Sequence, residues 1–363
     1  MEQALIAVAA DVREPTVAVV IGTYNQLRFI EAAIRSVAAQ TYPHFDCVVV
    51  DDCSTDGSPE RVERCLASLA DPRFRFIRRE RNGGQMATVL AGLDATGGQF
   101  VAILDGDDMW DPEFLERHVE AHLSRAGAAA MSCSDLALVD EAGALVAGGT
   151  PSFRSGDPRI NPKRHSVLKV EGAGEDALVF LGRDGRGWPW SATSGMMFRR
   201  NVLEAARPKD PAAIPISADA YLARIAHAIG GTVRIERRLG CYRLHGGNLW
   251  AKNAFFGAGS RLGDGKFELE LSIRLAVIDR LLDREFAGLV PRRTLTNMLL
   301  DFVGWHEALQ LSESNDIARR LLAQWASPWR RRTMRALGLL PQGVLPRALR
   351  DPARDPRRRR RGS

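Results

Sequence analysis

Long apolar runs are missing from this 363-residue sequence, and none approaches the roughly 20 residues of a membrane-spanning helix. The first residues also lack the basic, apolar and small-residue order of a signal peptide, which predicts a cytosolic protein. Cysteine is sparse. Cys47, Cys53, Cys65, Cys133 and Cys241 are odd in number and form no C-x-x-C pair. That argues against a disulfide framework and a zinc site, and fits a reducing compartment. No H-E-x-x-H occurs: His118 and His122 stand four apart, but Glu120 is misplaced for a metalloprotease, so the pair reads as a solvated helix face. A basic folded surface is missing too. The net charge of +6 arises from residues 330–363, which carry +10 and leave −4 on the first 329. Nucleic acid is therefore not the expected partner.

What remains is an ordinary globular composition, 45% hydrophobic and 26% charged, long enough for one large α/β domain with an extension or for two domains. Apolar runs at Val17–Ile21 and Phe100–Leu104 are continuous and read as buried strands of a parallel sheet, and Phe45–Val50 and Phe74–Ile77, each interrupted by one charged residue, read as two more strands. Between them lie helical periodicities: Leu27 to Ala38 with Asn25 as cap, a helix capped by Ser58 running to Leu69, and Gln85 to Ala95. A further helix is expected from Asp111 and Pro112. The loop from Asp52 to Glu63 imitates an EF-hand calcium loop, but a strand precedes it and Pro59 sits where a backbone donor is needed. Arg79, Arg81, Asn82, Gly83 and Gly84 precede a helix start, where backbone amides can approach an anion and arginines suit phosphate.

The strand Phe100–Leu104 ends at Asp105, Gly106, Asp107 and Asp108. Three adjoining carboxylates repel one another unless they face water, a metal ion or a cationic ligand. The carboxyl ends of strands are also where open α/β sheets bind ligands. Hard oxygen donors at this spacing suit Mg²⁺ or Mn²⁺, while a solvated acidic turn is the alternative.

The ordered stretches VVIGTYNQLRFIEAAIRSVAAQTYPHFDCVVVDDCSTDGS and RNGGQMATVLAGLDATGGQFVAILDGDDMWDPEFL resemble the nucleotide-binding half of the family two inverting glycosyltransferases. The resemblance implies a GT-A fold, a Rossmann-like mixed sheet with helices on both faces, that binds a nucleoside diphosphate sugar such as a UDP-sugar with Mn²⁺ or Mg²⁺. It implies that Thr23 and Tyr24 line the base pocket and that Asp52 accepts from the base. Arg81 and Asn82 would lie near the ribose or phosphates. Asp105 would bridge ribose and metal, and Asp107 would bind the metal. The implied organisation is an N-terminal lead (1–14), a glycosyltransferase domain (15–260, halves 15–115 and 116–260), a helical extension (261–327) and a basic tail (328–363).

An inverting transfer needs a base on the acceptor side. Residues 141–187 are rich in glycine and proline and read as loops with a hairpin near Glu141–Gly143 and a mobile cover. In GWPWSATSGMMFRR, Ser194 and Gly195 resemble the family's acceptor-side strand, and Trp190, with Trp188, either stacks on a sugar or packs internally. Asp219 matches the family's base, an aspartate in an E-D pair, although Ala218 replaces the glutamate; it equally suits a helix N-terminus. His245, in a Y-R-x-H segment, would complete the metal or diphosphate site or bond to backbone. No Q-x-x-R-W motif occurs, against a processive synthase. Helices are expected from Phe267, over Thr294–Leu311 and ending near Trp325. Trp325, Trp329, Arg330–Arg332, Leu337–Leu340 and Arg357–Arg361 suit an anionic membrane surface or a disordered tail. The expected partners are thus a nucleotide sugar, a glycan, lipid-linked or other hydroxyl acceptor, and the inner face of the cell membrane. Two other readings stand beside this one. D-G-D-D-M is close to a haloacid-dehalogenase phosphatase motif, with Asp105 as nucleophile, and a lapsed acidic site would leave a lipid- or nucleic-acid-binding module.

Overall fold

The computed structural model describes residues 14–124, 129–150, 153, 166–183, 187–248 and 266–323. The basic tail and Trp325 therefore lie outside the described residues, as do residues 1–13 and much of the expected cover. Two compact units are present, divided after Leu262.

In the first unit the early apolar runs become β1 (Val17–Thr23), β2 (Phe45–Asp51), β3 (Phe74–Arg78) and β4 (Phe100–Asp105). Each of β1, β2 and β4 is buried almost throughout, because helices cover both faces of a parallel sheet. The connecting helices are α1 (Ile30–Ala38), α2 (Ser58–Leu69) and α3 (Gly84–Ala95), followed by α4 (Phe114–Leu123). Downstream come β5 (Met109–Trp110), β6 (Met131–Val139), β7 (Leu145–Ala147), β8 (Val167–Glu171), β9 (Leu178–Leu181), β10 (Met196–Arg199) and β11 (Thr232–Arg243), with α5 (Arg200–Ala205) and α6 (Ala218–Gly230).

The described strands form one mixed sheet in the order β3-β2-β1-β4-β10-β6-β11-β9-β8, with β5 on β11 and β7 on β6. β1 pairs in parallel with both β2 and β4, so the chain order reverses across β1 and opens a crevice at the strand carboxyl ends. The register sets Thr23 opposite Asp51 and Gly22 opposite Asp105. Beyond β4 the antiparallel β10 joins this half to β6 and β11.

Several local expectations change. Asn25 does not cap α1: it adopts a left-handed conformation (φ 54°) and accepts from Thr55 N, and the helix begins only at Ile30. Ser58 begins α2 rather than capping it, and its hydroxyl donates to Asp56. Asp56 also accepts from Leu27 N, so the calcium-like loop is tied to the β1–α1 connection. α4 starts at Phe114, later than Asp111. His118 and His122 are not solvated but face the sheet, fully buried. Their bonds to Ser132, Ser134 and the Met197 carbonyl compensate for burial.

The second unit contains α7 (Lys266–Leu281), α8 (Arg292–Ser314) and α9 (Asp316–Leu322), with α8 broken at Gly304 (φ 76°). No described helix is long and apolar enough to cross a membrane.

Candidate active site

β4 delivers its acids through a turn that tolerates only glycine at position 106. A Cβ there would lie 2.3 Å from Gln26 Oε1 and 2.9 Å from Gly22 O, so the acidic turn folds directly onto the end of β1. Asp105 and Asp107 are half-buried on this turn, and Asp108 is buried. Burial, followed by the charges of Asp107 and Asp219, pushes the Asp105 carboxyl up to about 7. Burial and the same cluster raise Asp108 well above the carboxylate range. Asp219, on the first turn of α6, comes from the other half of the domain, and its charge acts on Asp105. Its Oδ1 accepts from Ala220 N at 2.8 Å.

Asp108 is held on both oxygens. Oδ2 accepts from Ser194 Oγ at 2.6 Å and Oδ1 from Arg243 N at 2.9 Å. Ser194 Oγ in turn accepts from Asp105 N at 3.1 Å. Arg243 reaches further: Nε donates to the Asp107 carbonyl at 2.9 Å, and Nη1 to the Glu141 carbonyl at 3.0 Å in the turn between β6 and β7. Next to it, His245 Nε2 lies 2.8 Å from Asp107 Oδ2, and its ring packs on Phe29 with centroids 4.9 Å apart. Gly247 N donates to His245 Nδ1 at 3.1 Å, so a neutral ring carries its proton on Nε2 and donates it to Asp107.

At the β1–β2 edge, Tyr24 is 49% exposed beside buried Thr23. Thr23 Oγ1 and Asp51 Oδ1 are buried without hydrogen-bond partners. Asp52 is fully engaged. Its Oδ1 accepts from Arg79 and from Gly83 N, and its Oδ2 accepts from Gly84 N at 2.7 Å. The amides expected to receive a ligand anion at the start of α3 thus hold a carboxylate of the chain itself. Arg81 and Asn82 are exposed on the loop before α3.

Trp190, Ser194 and Gly195, expected on the acceptor side, are all buried. Trp190 is only 2% exposed, donates from Nε1 to Thr232 Oγ1 and packs edge-on against Trp188. It offers no face to a sugar. Ser194 and Gly195 are also buried, Ser194 against the acids and Gly195 where a Cβ would collide with Ser191 Oγ. Ser194 holds the acidic turn, whereas Gly195 packs against Ser191 and the Ser134 carbonyl. Sequence reasoning missed Arg243 as a brace and missed Gln85 altogether. Gln85 Nε2 lies 3.1 Å from Asp105 Oδ1, and its Oε1 accepts from Ala218 N.

A reversed-order parallel half, an antiparallel continuation and acids at the strand ends define a mixed α/β domain of the GT-A kind. Residues 18–135 match the model of glycosyl transferase family 2, and the chain carries a domain of that family. This match displaces the phosphatase reading of D-G-D-D-M. An uncharacterized glycosyltransferase of Nostoc sp. is 32% identical over 64% of this chain and 66% of its own length. The succinoglycan biosynthesis protein ExoO of Rhizobium meliloti is 30% identical over 65% of this chain and 62% of its own. The chain thus spans less than two thirds of the length of these curated relatives. Among solved structures, Staphylococcus aureus TarS 1–349 in complex with UDP superposes with a TM-score of 0.54 at 17% identity, covering 82% of this chain and 75% of that one.

Proposed function

We propose that this chain is an inverting glycosyltransferase that moves a sugar from a nucleoside diphosphate sugar, with a UDP-sugar the first donor to test, to an acceptor hydroxyl. The observation that carries this is the convergence of Asp105, Asp107 and Asp108 from the end of β4 with Asp219 from the start of α6. The Gln85 side chain, bonded to Asp105 Oδ1 at 3.1 Å and to Ala218 N at 2.9 Å, ties the start of α6 to the end of β4. The kinship with a succinoglycan biosynthesis protein supports a glycan as product.

The donor set fits a divalent ion. Among the described residues no three His, Cys, Asp or Glu side chains already form a metal cluster. Mg²⁺-type ions, however, are commonly held by one or two carboxylates with substrate phosphates supplying the rest. Asp107 and Asp105 would hold it, with His245 joining through Nε2 in the tautomer that carries its proton on Nδ1. Bound there, Mn²⁺ or Mg²⁺ would neutralise charge growing on the diphosphate.

The protein groups then divide the work. Exposed Tyr24 offers a face to the base, and Thr23 and Asp52 border it. Arg81 and Asn82 stand on the phosphate side. Asp219 takes the proton from the acceptor hydroxyl as its oxygen bonds to the anomeric carbon; the bond from that carbon to the diphosphate oxygen breaks, and its electron pair leaves with the nucleoside diphosphate. Attack opposite the leaving group inverts the centre.

Asp219→Asn tests the scheme. It should lower kcat by at least about 10²-fold, the usual contribution of a general base, while calorimetric nucleotide affinity stays nearly unchanged. Wild-type turnover in Asp219→Asn would remove Asp219 from the role.

A further inference from the structure

Gln85 links groups far apart in sequence. Its side chain bonds to residues 20, 108 and 133 positions away: Nε2 to Asp105 Oδ1 at 3.1 Å and to Thr193 Oγ1 at 3.3 Å, and Oε1 to Ala218 N at 2.9 Å. The partners fix the amide's orientation, because a flipped amide would set its NH₂ against the Ala218 N–H and its oxygen against a carboxylate. The backbone reinforces the link. Gln85 N donates to Pro215 O at 2.7 Å, and a Cβ on the preceding Gly84 (φ 80°) would lie 2.1 Å from that same carbonyl oxygen. The first turn of α3 is therefore pressed against the segment leading into α6, and one amide spans from the acid at the end of β4 to the residue before Asp219.

We propose that Gln85 is a positioning residue that sets the separation between Asp105, on the donor side, and Asp219, on the acceptor side. This rests on the glycosyltransferase reading above. A base and a donor-holding acid must keep a fixed geometry across an in-line displacement, and a misplacement of about 1 Å can cost about 10²-fold in rate. Gln85 supplies a neutral group of the right length with a donor at one end and an acceptor at the other. Glutamate would repel Asp105. Methionine would remove the acceptor of the Ala218 N–H and leave Asp105 with Thr193 but not the amide.

The test compares wild type with Gln85→Met and Gln85→Asn. The first matches glutamine in length without its hydrogen bonds; the second keeps the amide but is one methylene too short to reach both ends. Steady-state transfer is measured with varied donor, alongside the thermal midpoint and nucleotide affinity by calorimetry. Both variants should lose about 10- to 100-fold in kcat, with donor KM and nucleotide affinity within about threefold of wild type. A kcat within twofold of wild type overturns the proposal. So does a loss that merely tracks the folded fraction measured by circular dichroism, since that is a structural role; Gln85→Asn keeps this readable if Gln85→Met folds poorly. A wild-type chain that transfers from no nucleotide sugar overturns the functional reading and this proposal together, whereas wild-type transfer with unimpaired variants overturns this proposal alone.

Discussion

Ser194 holds two neighbours of the acidic turn with one hydroxyl, donating to Asp108 and accepting from Asp105 N. Ser194→Ala leaves a buried carboxyl oxygen and an amide short of a partner. The expected cost is about 1–3 kcal/mol of stability, measured by urea unfolding. A loss below about 0.5 kcal/mol would show that the turn is held without it. At this scale the sequence offers residue types but not side-chain direction. Asp105 and Asp107 stood out as adjoining carboxylates at the end of a buried strand, whereas Asp219 and His245 were singled out only through the family resemblance. Trp190, Ser194 and Gly195 were assigned to the acceptor because nothing local encodes which way a side chain faces, and the fold turns all three inward. Gln85 gave no signal, since its partners are assembled only by tertiary structure.

On α4 the two histidines lie on the face that packs on the sheet, with His122 stacked on Phe100 at 4.7 Å. Burial, aided by the nearby Arg199 charge, lowers the His122 pKa to about 3. An unfolded chain binds that proton near pH 6.5, so below this pH the unfolded state holds more protons. Stability contributed by neutral His122 is therefore complete above about pH 6.5 and is lost as pH falls towards 3, by up to about 1.4 kcal/mol per pH unit. His122→Gln should flatten the profile: unfolding free energies at pH 7.5 and 5.5 should differ by about 1 kcal/mol less than in wild type. An unchanged difference would mean that the ring is already charged when folded. Element types were the most legible level, because buried parallel strands read as continuous apolar runs and the intervening helices keep their period. Element ends were less so. Asn25 has the chemistry of a cap, yet Ser54 and Thr55 bind it as a left-handed bend and delay α1 to Ile30. Likewise the periodicity of α8 gave no warning of the break at Gly304.

At the scale of the molecule, the parallel pairing of β1 with β2 follows from alternating strand and helix signals, whereas the reversal that sets β4 beside β1 and the partners of β6, β9 and β11 do not. Those are long-range pairings, parallel for β6 with β11 and antiparallel for β9 with β11, and no local pattern distinguishes them. If the crevice at the β1–β4 edge binds a nucleotide, ligand binding to the folded state must stabilise it. UDP at about 100 times its dissociation constant, with Mn²⁺, should add about 2.7 kcal/mol, read as a raised thermal midpoint. No shift with any nucleoside diphosphate, with or without Mn²⁺ or Mg²⁺, would count against the site.

The Asp52 carboxylate, seated on the Gly83 and Gly84 amides with Arg79 beside it, changes how such a site discriminates. A helix start with open amides attracts any small anion, including the free phosphate abundant in cells. Here those amides are already bonded to the buried Asp52 carboxylate and are not open to an incoming anion. A bare phosphate should therefore find no seat at the start of α3.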